Sequence, residues 1–177
     1  TAVHRTWIDP SRAKGKALIL VDGKPAKVKK TLGSKRGHVI RLGGTGPRQT
    51  LIMAEGIETT LTARVAWAGP GRHFWCGVDL GNMAGRRVMR GEGMKFRGIP
   101  DLTDSSAFIP PSGVRSLVFV QDGDSHPQAT RAQLLAGLRR ARATVPGLAR
   151  AVIVPAPAGA DLNDVLMGAE HVGTDPD

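Results

Sequence analysis

From residue 49 onward, short apolar runs alternate with segments of helical spacing, and no other feature of the chain limits its fold as much. Thr50 to Ala54, Phe74 to Val78, Ser116 to Val120 and Ala151 to Val154 are apolar stretches of strand length. After the first, Ile57, Leu61 and Val65 recur at the spacing of one helix face until Gly69-Pro70-Gly71 stops the helix. After the third, Pro127 to about Ala143 reads as a helix. Ser125 or Asp124 is its expected cap, Pro127 lies in its first turn, and Leu134, Leu135 and Leu138 are its packing residues. Leu162 to Met167 forms a short helix after Gly159. This alternation implies an α/β fold in which a mostly parallel sheet carries helices on its faces. Residues 81–111, rich in Gly, Met, Arg and Pro, match no element. They are long for a structureless loop and read as an insertion with short structure of its own.

The segment before residue 49 has a different character. Its short stretches, Val3 to Ile8, Ala17 to Val21, Ala26 to Leu32 and Val39 to Leu42, alternate apolar and polar residues. Turn signals at Asp9-Pro10, Asp22-Gly23, Gly33 and Gly37 separate them, which predicts a small antiparallel sheet. Residues 1–48 hold twelve Lys and Arg against Asp9 and Asp22, whereas the rest of the chain has thirteen basic and thirteen acidic residues. The whole net charge of +10 therefore belongs to this segment. Such density points to a polyanion, because neutralising phosphates releases condensed counterions, although a basic segment is also what a solvated face looks like. Trp7 is its one aromatic residue, so backbone contact is expected rather than base reading. Lys27, Lys29 and Lys30 on or beside one strand, with Lys35, Arg36 and Arg41, are the expected nucleic-acid contacts; the lysines equally suit protection of a sheet edge. GGTGPRQ, Gly43 to Gln49, reads as the linker closing a basic subdomain of residues 1–48. It is followed by an α/β domain over 49–170 and a disordered tail over 171–177.

Several chemistries are excluded. Cys76, the only cysteine, permits neither an internal disulfide nor a zinc ribbon, and reads as a small buried residue beside Phe74 and Trp75. Without tyrosine the chain cannot break DNA through a phosphotyrosine. Gly43 to Gly46 lacks the Gly-Lys-Ser/Thr ending of a phosphate loop, and the five histidines show no paired metal spacing. No apolar run approaches membrane-spanning length and Thr1 opens no leader, so the expected location is the cytoplasm.

Carboxylates stand where two of the strands end: Glu55 in LIMAEGIETTL, and Asp122 and Asp124 in LVFVQDGDSHP. Ligands of such sheets gather at the carboxyl ends of the strands. The strand period puts Asp122 and Asp124 on one side, and two carboxylates aimed together repel unless a cation lies between them. Mg²⁺ suits an all-oxygen site that leaves positions for a substrate phosphate. Glu55 either completes the shell or takes a proton from an attacking hydroxyl. Asp-Gly-Asp alone is also turn material; its pairing with a strand-ending Glu-Gly is what gives it weight.

On these phrases the stretch from about Leu51 to Gly168 resembles a Toprim domain, the α/β module of bacterial primases, type IA and type II topoisomerases and some nucleases. The family glutamate matches Glu55, and its acidic pair matches Asp122 and Asp124. GADLNDVL resembles the family's later acidic element, with Asp161 the best match for a further metal-facing carboxylate and Asp164 less securely placed. EGIETTL and GADLNDVL look most like phage, plasmid and integrated-element primases, in which a basic segment such as KKTLGSKRGHVIRL precedes the module. One departure stands out: bacterial replicative primases place an acid four residues after the glutamate, where this chain has Thr59, with Glu58 beside it. Glu58 reads as a first-turn acid favoured by the helix dipole.

The resemblance implies a primase-like nucleotidyltransferase of DNA replication. It would use Mg²⁺ or Mn²⁺ held by Glu55, Asp122, Asp124 and Asp161, with single-stranded DNA and nucleoside triphosphates as partners and a helicase or other replication domain nearby. Two alternatives share the site: a Toprim-type metal-dependent nuclease, and a non-catalytic nucleic-acid-binding module of a larger replication protein. Arg131, Arg139, Arg140 and Arg142 on the helix after Asp124 are read as solvated charge for the most part.

Overall fold

The computed structural model describes residues 2–12, 15–123, 126–157, 159, 162–166 and 168. The chain divides into two compact units, 1–35 and 36–177. The expected boundary near residue 48 falls inside a strand of the second.

In the first unit β1 (Ala2–Thr6) pairs antiparallel with β4 (Lys29–Gly33), and β2 (Leu20–Val21) with β3 (Lys24–Pro25). The predicted single sheet is thus two smaller ones. Asp22 and Gly23 close the β2–β3 hairpin with φ of 51° and 73°, the left-handed pair that a two-residue turn between twisted strands requires. None of the described residues of this unit is fully buried, and Val3, Ile8, Leu18, Leu20, Val21 and Leu32 are all more than half exposed.

The second unit is α/β. Its elements run β5 (Ile40–Ala54), α1 (Ile57–Trp67), β6 (Pro70–Cys76), α2 (Leu80–Ala84), a 3₁₀ turn at Met94–Phe96, β7 (Ser116–Gln121), α3 (Pro127–Thr144), β8 (Arg150–Pro155) and α4 (Leu162–Leu166). The sheet order is β6-β5-β7-β8. Residues 50–54 of β5 run parallel to β6 and residues 50–53 parallel to β7, while β8 continues parallel beyond β7.

The first part of β5 behaves differently. Ile40 pairs with Cys76, Arg41 with Trp75, Gly44 with His73 and Thr45 with Pro70, so β6 counts down as β5 counts up. This pass is therefore antiparallel. Because Cys76, Trp75 and His73 pair again with Ala54, Met53 and Leu51, the two passes lie on opposite sides of β6. GGTGPRQ is consequently no linker; it belongs to the bend that carries the chain around the start of β6. Glycine is needed for closeness here, since a Cβ on Gly44 would come within 2.3 Å of the His73 ring and 2.9 Å of the Arg72 carbonyl.

Alternate strand residues feed two cores. Ile52, Ala54, Phe74 and Val120 pack with Ala63 of α1, with Trp67 and Leu162 of α4 against them. Leu51, Met53, Trp75, Leu117 and Phe119 pack with Met83 of α2 and Leu134, Leu138 and Ala141 of α3. The helices lie on opposite faces because the sheet grows in opposite directions from β5, and right-handed crossovers then alternate sides. Trp75 and Phe74 are core residues as expected, and so is Cys76.

Three sequence expectations are corrected. The buried face of α1 is Thr59, Thr60, Thr62 and Ala63, whereas Leu61 and Val65 are 40% and 70% exposed. The N-cap of α3 is His126, whose ring nitrogen accepts from the Ala129 N–H; Ser125 and Asp124 lie outside the described residues. Arg140 is buried, with its guanidinium donating to the carbonyls of Arg86 and Asp104. It thereby anchors the 81–111 segment, which Gln133 and Arg139 also tie to α3 through the carbonyls of Gly85, Arg97 and Gly98. The tail 171–177 lies outside the described residues, and among those described no helix is long and apolar enough to cross a membrane.

Asp104 fastens the insertion from within. Its Oδ1 accepts from the Ser106 N–H and hydroxyl and its Oδ2 from the Arg86 N–H. Burial pushes its pKa up, but the Ser106 hydroxyl, the two backbone donors and the Arg86 guanidinium outweigh it and hold the group at about 2, below the ordinary 3.8. The unfolded chain therefore takes up this proton more readily than the folded one. The resulting stabilisation is complete above the ordinary pKa and is lost as pH falls through 2. Asp104→Asn is expected to lower unfolding free energy by about 2 kcal/mol at pH 7. In urea titrations the gap from the parent should narrow as pH is lowered toward 2; a gap independent of pH would contradict this account.

Candidate functional site

The central strand has a different neighbour on each side, the next strand in sequence (β6) and the one after it (β7). Where strand order reverses in this way the connections leave in opposite directions, and a crevice opens outside the carboxyl ends. Glu55 directly follows the end of β5 and Asp122 the end of β7. Register sets them at one level: Met53 pairs with Phe119, two residues before Glu55 and three before Asp122.

Short local bonds hold this end of the sheet together. Gly77 N–H donates to the Ala54 carbonyl and the Cys76 thiol to the Glu55 carbonyl at 3.1 Å, so the backbone at Glu55 is braced from β6. Val78, just beyond, takes φ of 72°, a left-handed conformation that is costly for a β-branched residue. On the other side, Gly159 N–H donates to the Gly123 carbonyl at 3.1 Å and Ala156 N–H to the Gln121 carbonyl. Gly159, the first residue of GADLNDVL, is thereby tied to Gly123 beside Asp122.

Thr59 supplies the side-chain link. Its hydroxyl, in the first turns of α1, donates to Asp122 Oδ1 at 3.2 Å, and the residue is 3% exposed. Thr59 stands where the resemblance expects an acid, so a neutral donor here meets a carboxylate where a second carboxylate would repel it. The sequence signal was present, a hydroxyl four residues after Glu55, but its partner was not readable. Glu58 Oε2 lies near the start of the helix, 3.6 Å from where a Cβ on Gly56 would be.

Asp124 and Asp161 lie outside the described residues. Asp164 is in the first turn of α4, half-buried. Among the described residues no group of three His, Cys, Asp or Glu gathers closely enough to hold a metal ion. The donors at this sheet end, Glu55 and Asp122 with the Thr59 hydroxyl, are all oxygens, the chemistry a hard divalent cation takes.

The expected nucleic-acid contacts divide between the units. In the first, Lys30 and Arg5 are cross-strand partners and both exposed, whereas Lys29, on the other face of β4, is half-buried. Two like charges directly opposite one another cost stability unless an anion meets them, and Arg5 was passed over because strand pairing cannot be read from sequence. Lys27 is exposed and Lys35 half-buried. In the second unit Arg36 is exposed, and the Arg41 guanidinium sits 5.0 Å from the Trp75 ring centre, with that of Arg48 at 4.8 Å. Trp75 is therefore a platform for arginines rather than for bases.

Comparison with protein-family models, with curated proteins and with solved structures finds no match to this chain.

Thr59→Val keeps the shape of the side chain and removes the donor. A double-mutant cycle with Asp122→Asn, read by chemical unfolding, should give a coupling of about 1 kcal/mol between the two positions. Additive effects would show that the hydroxyl does not hold the carboxylate.

Proposed function

We propose that this chain is a Toprim-like, primase-type nucleotidyltransferase, joining nucleotides into primers on single-stranded DNA. The observation that supports it best is the Thr59–Asp122 hydrogen bond at the reversal of strand order. It ties the carboxylate after β7 to the helix that begins beside Glu55.

Glu55, Asp122 and Asp124, with Asp161, are the residues that would hold Mg²⁺ or Mn²⁺. When bound, such an ion supplies positive charge that stabilises the phosphate oxygens during transfer. The remaining work falls to the chain. In this reading Glu55, where it does not complete the metal shell, accepts the proton of the attacking 3′ hydroxyl, whose oxygen forms a bond to the α-phosphorus as the bond to the departing pyrophosphate breaks. Thr59 keeps Asp122 in one rotamer. Lys30 and Arg5 on one small sheet, with Lys27 in the β3–β4 connection, hold template phosphates without reading bases, which makes template binding steeply dependent on salt. Single-stranded DNA, nucleoside triphosphates and a helicase or other replication domain are the partners in this reading, and replication of a phage, plasmid or integrated element is its setting.

Incubating the protein with labelled nucleoside triphosphates, single-stranded template and Mg²⁺ or Mn²⁺ tests the proposal. Metal-dependent new oligomers are expected. Asp122→Asn should reduce their formation by on the order of 100-fold or more while changing template affinity less than about twofold. Shortened template in place of new strands would mean a nuclease, and binding without either product would mean a platform for another protein's chemistry. Undiminished synthesis by Asp122→Asn would remove the mechanism.

A further inference from the structure

The 81–111 segment builds a second polar site, of whose residues only Arg36 is among the expected nucleic-acid contacts. Arg36 is brought to it by its neighbour: Gly37 N–H donates to Asn82 Oδ1 at 2.8 Å, and Asn82 Nδ2 donates to the carbonyls of His38 and Gly77. Facing it are two consecutive turns. Asp101 Oδ1 accepts from the N–H and hydroxyl of Thr103, and Asp104 Oδ1 from those of Ser106. Arg36, Arg86, Thr103, Asp104, Ser105 and Ser106 line an open cavity of about 380 Å³ between them.

The lining decides what fits. All six side chains are polar or charged, so an apolar ligand gains nothing there, and two guanidiniums repel a metal cation. Asp104 is turned inward, its side chain 5% exposed and both oxygens taken by donors of the fold. The hydroxyls of Thr103 and Ser106 are likewise spent on carboxylates. Three sets of donors are left. Arg36 makes no hydrogen bond or ion pair among the described residues. Arg86 has a 68% exposed side chain that meets Asp101 and Asp104 only at 3.6 and 3.7 Å, too far for strong hydrogen bonds. Ser105 is exposed on the turn. Asp101 and Asp104 offset two positive charges, and buried Arg140 behind them donates to the carbonyls of Asp104 and Arg86, leaving the surroundings with one positive charge in excess. Forked guanidinium donors, a hydroxyl and a single excess charge match a phosphate oxyanion.

We propose that this cavity is a phosphate-binding site, taking a phosphodiester of a nucleic-acid strand or the phosphate end of a free nucleotide. Its volume is at the lower end for ligand sites and leaves space for the sugar attached to the phosphate. The proposal does not depend on transfer chemistry at Asp122.

Side-chain NMR of the arginine Nε groups in the full chain, at constant ionic strength and with chelator present, tests it. The probes are inorganic phosphate, an oligothymidylate and a nucleoside triphosphate. Shifts of the Arg36 and Arg86 resonances are expected, largest with the oligothymidylate if the source is a strand and with the triphosphate if it is a nucleotide. Arg36→Gln should weaken the responding probe about tenfold. Ser105→Glu, which adds a carboxylate at an exposed position without removing an internal hydrogen bond, should abolish the shifts. Asp122→Asn should leave them unchanged, so failure of the transfer reading and failure of this one are seen separately. Silence of both arginines toward all three probes, or parent-like binding by both cavity variants, would overturn the proposal.

Discussion

Four consecutive residues of β5, Leu51 to Ala54, are buried on both faces of the sheet, and the rest of the second unit is arranged to make that possible. A strand so enclosed needs hydrogen-bonding neighbours on both sides and a helix layer above and below. β6 and β7 supply the first, α1 and α3 the second. With the strand flanked on both sides by parallel partners, chain connections diverge at its carboxyl end, and space for a ligand is left there. Glu55 stands at that end, half-buried, as the first residue after the four that the central strand encloses.

The same enclosure explains what was legible. Parallel strands covered on both faces read as unbroken apolar runs, and Thr50 to Ala54 and Ser116 to Val120 were visible for that reason. The outer pass of β5 was legible only in part: Val39 to Leu42 reads as a strand, but of the basic sheet, and its pairing with β6 does not show. It is half-exposed, its register depends on backbone pairing with β6, and its glycines serve close approach, which in sequence looks the same as flexibility. Residues 81–111 were opaque for a related reason. They are organised by carboxylate-to-backbone turns and by Arg140, and periodicity does not register such contacts. An arginine on a helix surface and one folded under a loop have the same letter.

At the candidate site, the placement of Glu55 and Asp122 at strand ends was readable because the apolar runs stop there. The basic segment was readable as charge but not as surface. Strand parity separates Lys29 from Lys30 and sets Lys30 opposite Arg5, and neither relation exists before β1 and β4 pair. Arg36 and Arg41 belong to the second unit and have separate surroundings, a polar cavity and the Trp75 ring. A run of positive charge that looked continuous thus resolves into distinct places.

Helix α1 shows how site and core constrain each other. Its Ile57, Leu61 and Val65 carry the periodic apolar signal, yet its sheet-facing surface is Thr59, Thr60, Thr62 and Ala63. Small side chains let the helix approach Ile52, Ala54, Phe74 and Val120 closely, and the buried hydroxyls of Thr60 and Thr59 are satisfied by the Gly56 carbonyl and by Asp122. Rotating the helix to bury Leu61 and Val65 would add apolar contact, but it would carry Thr59 away from Asp122 and leave that carboxylate without its hydroxyl donor. The observed rotation keeps the hydrogen bond and leaves two large apolar residues in water. The rotation of the helix and the position of the strand-end carboxylate are thus set together, at the expense of apolar burial.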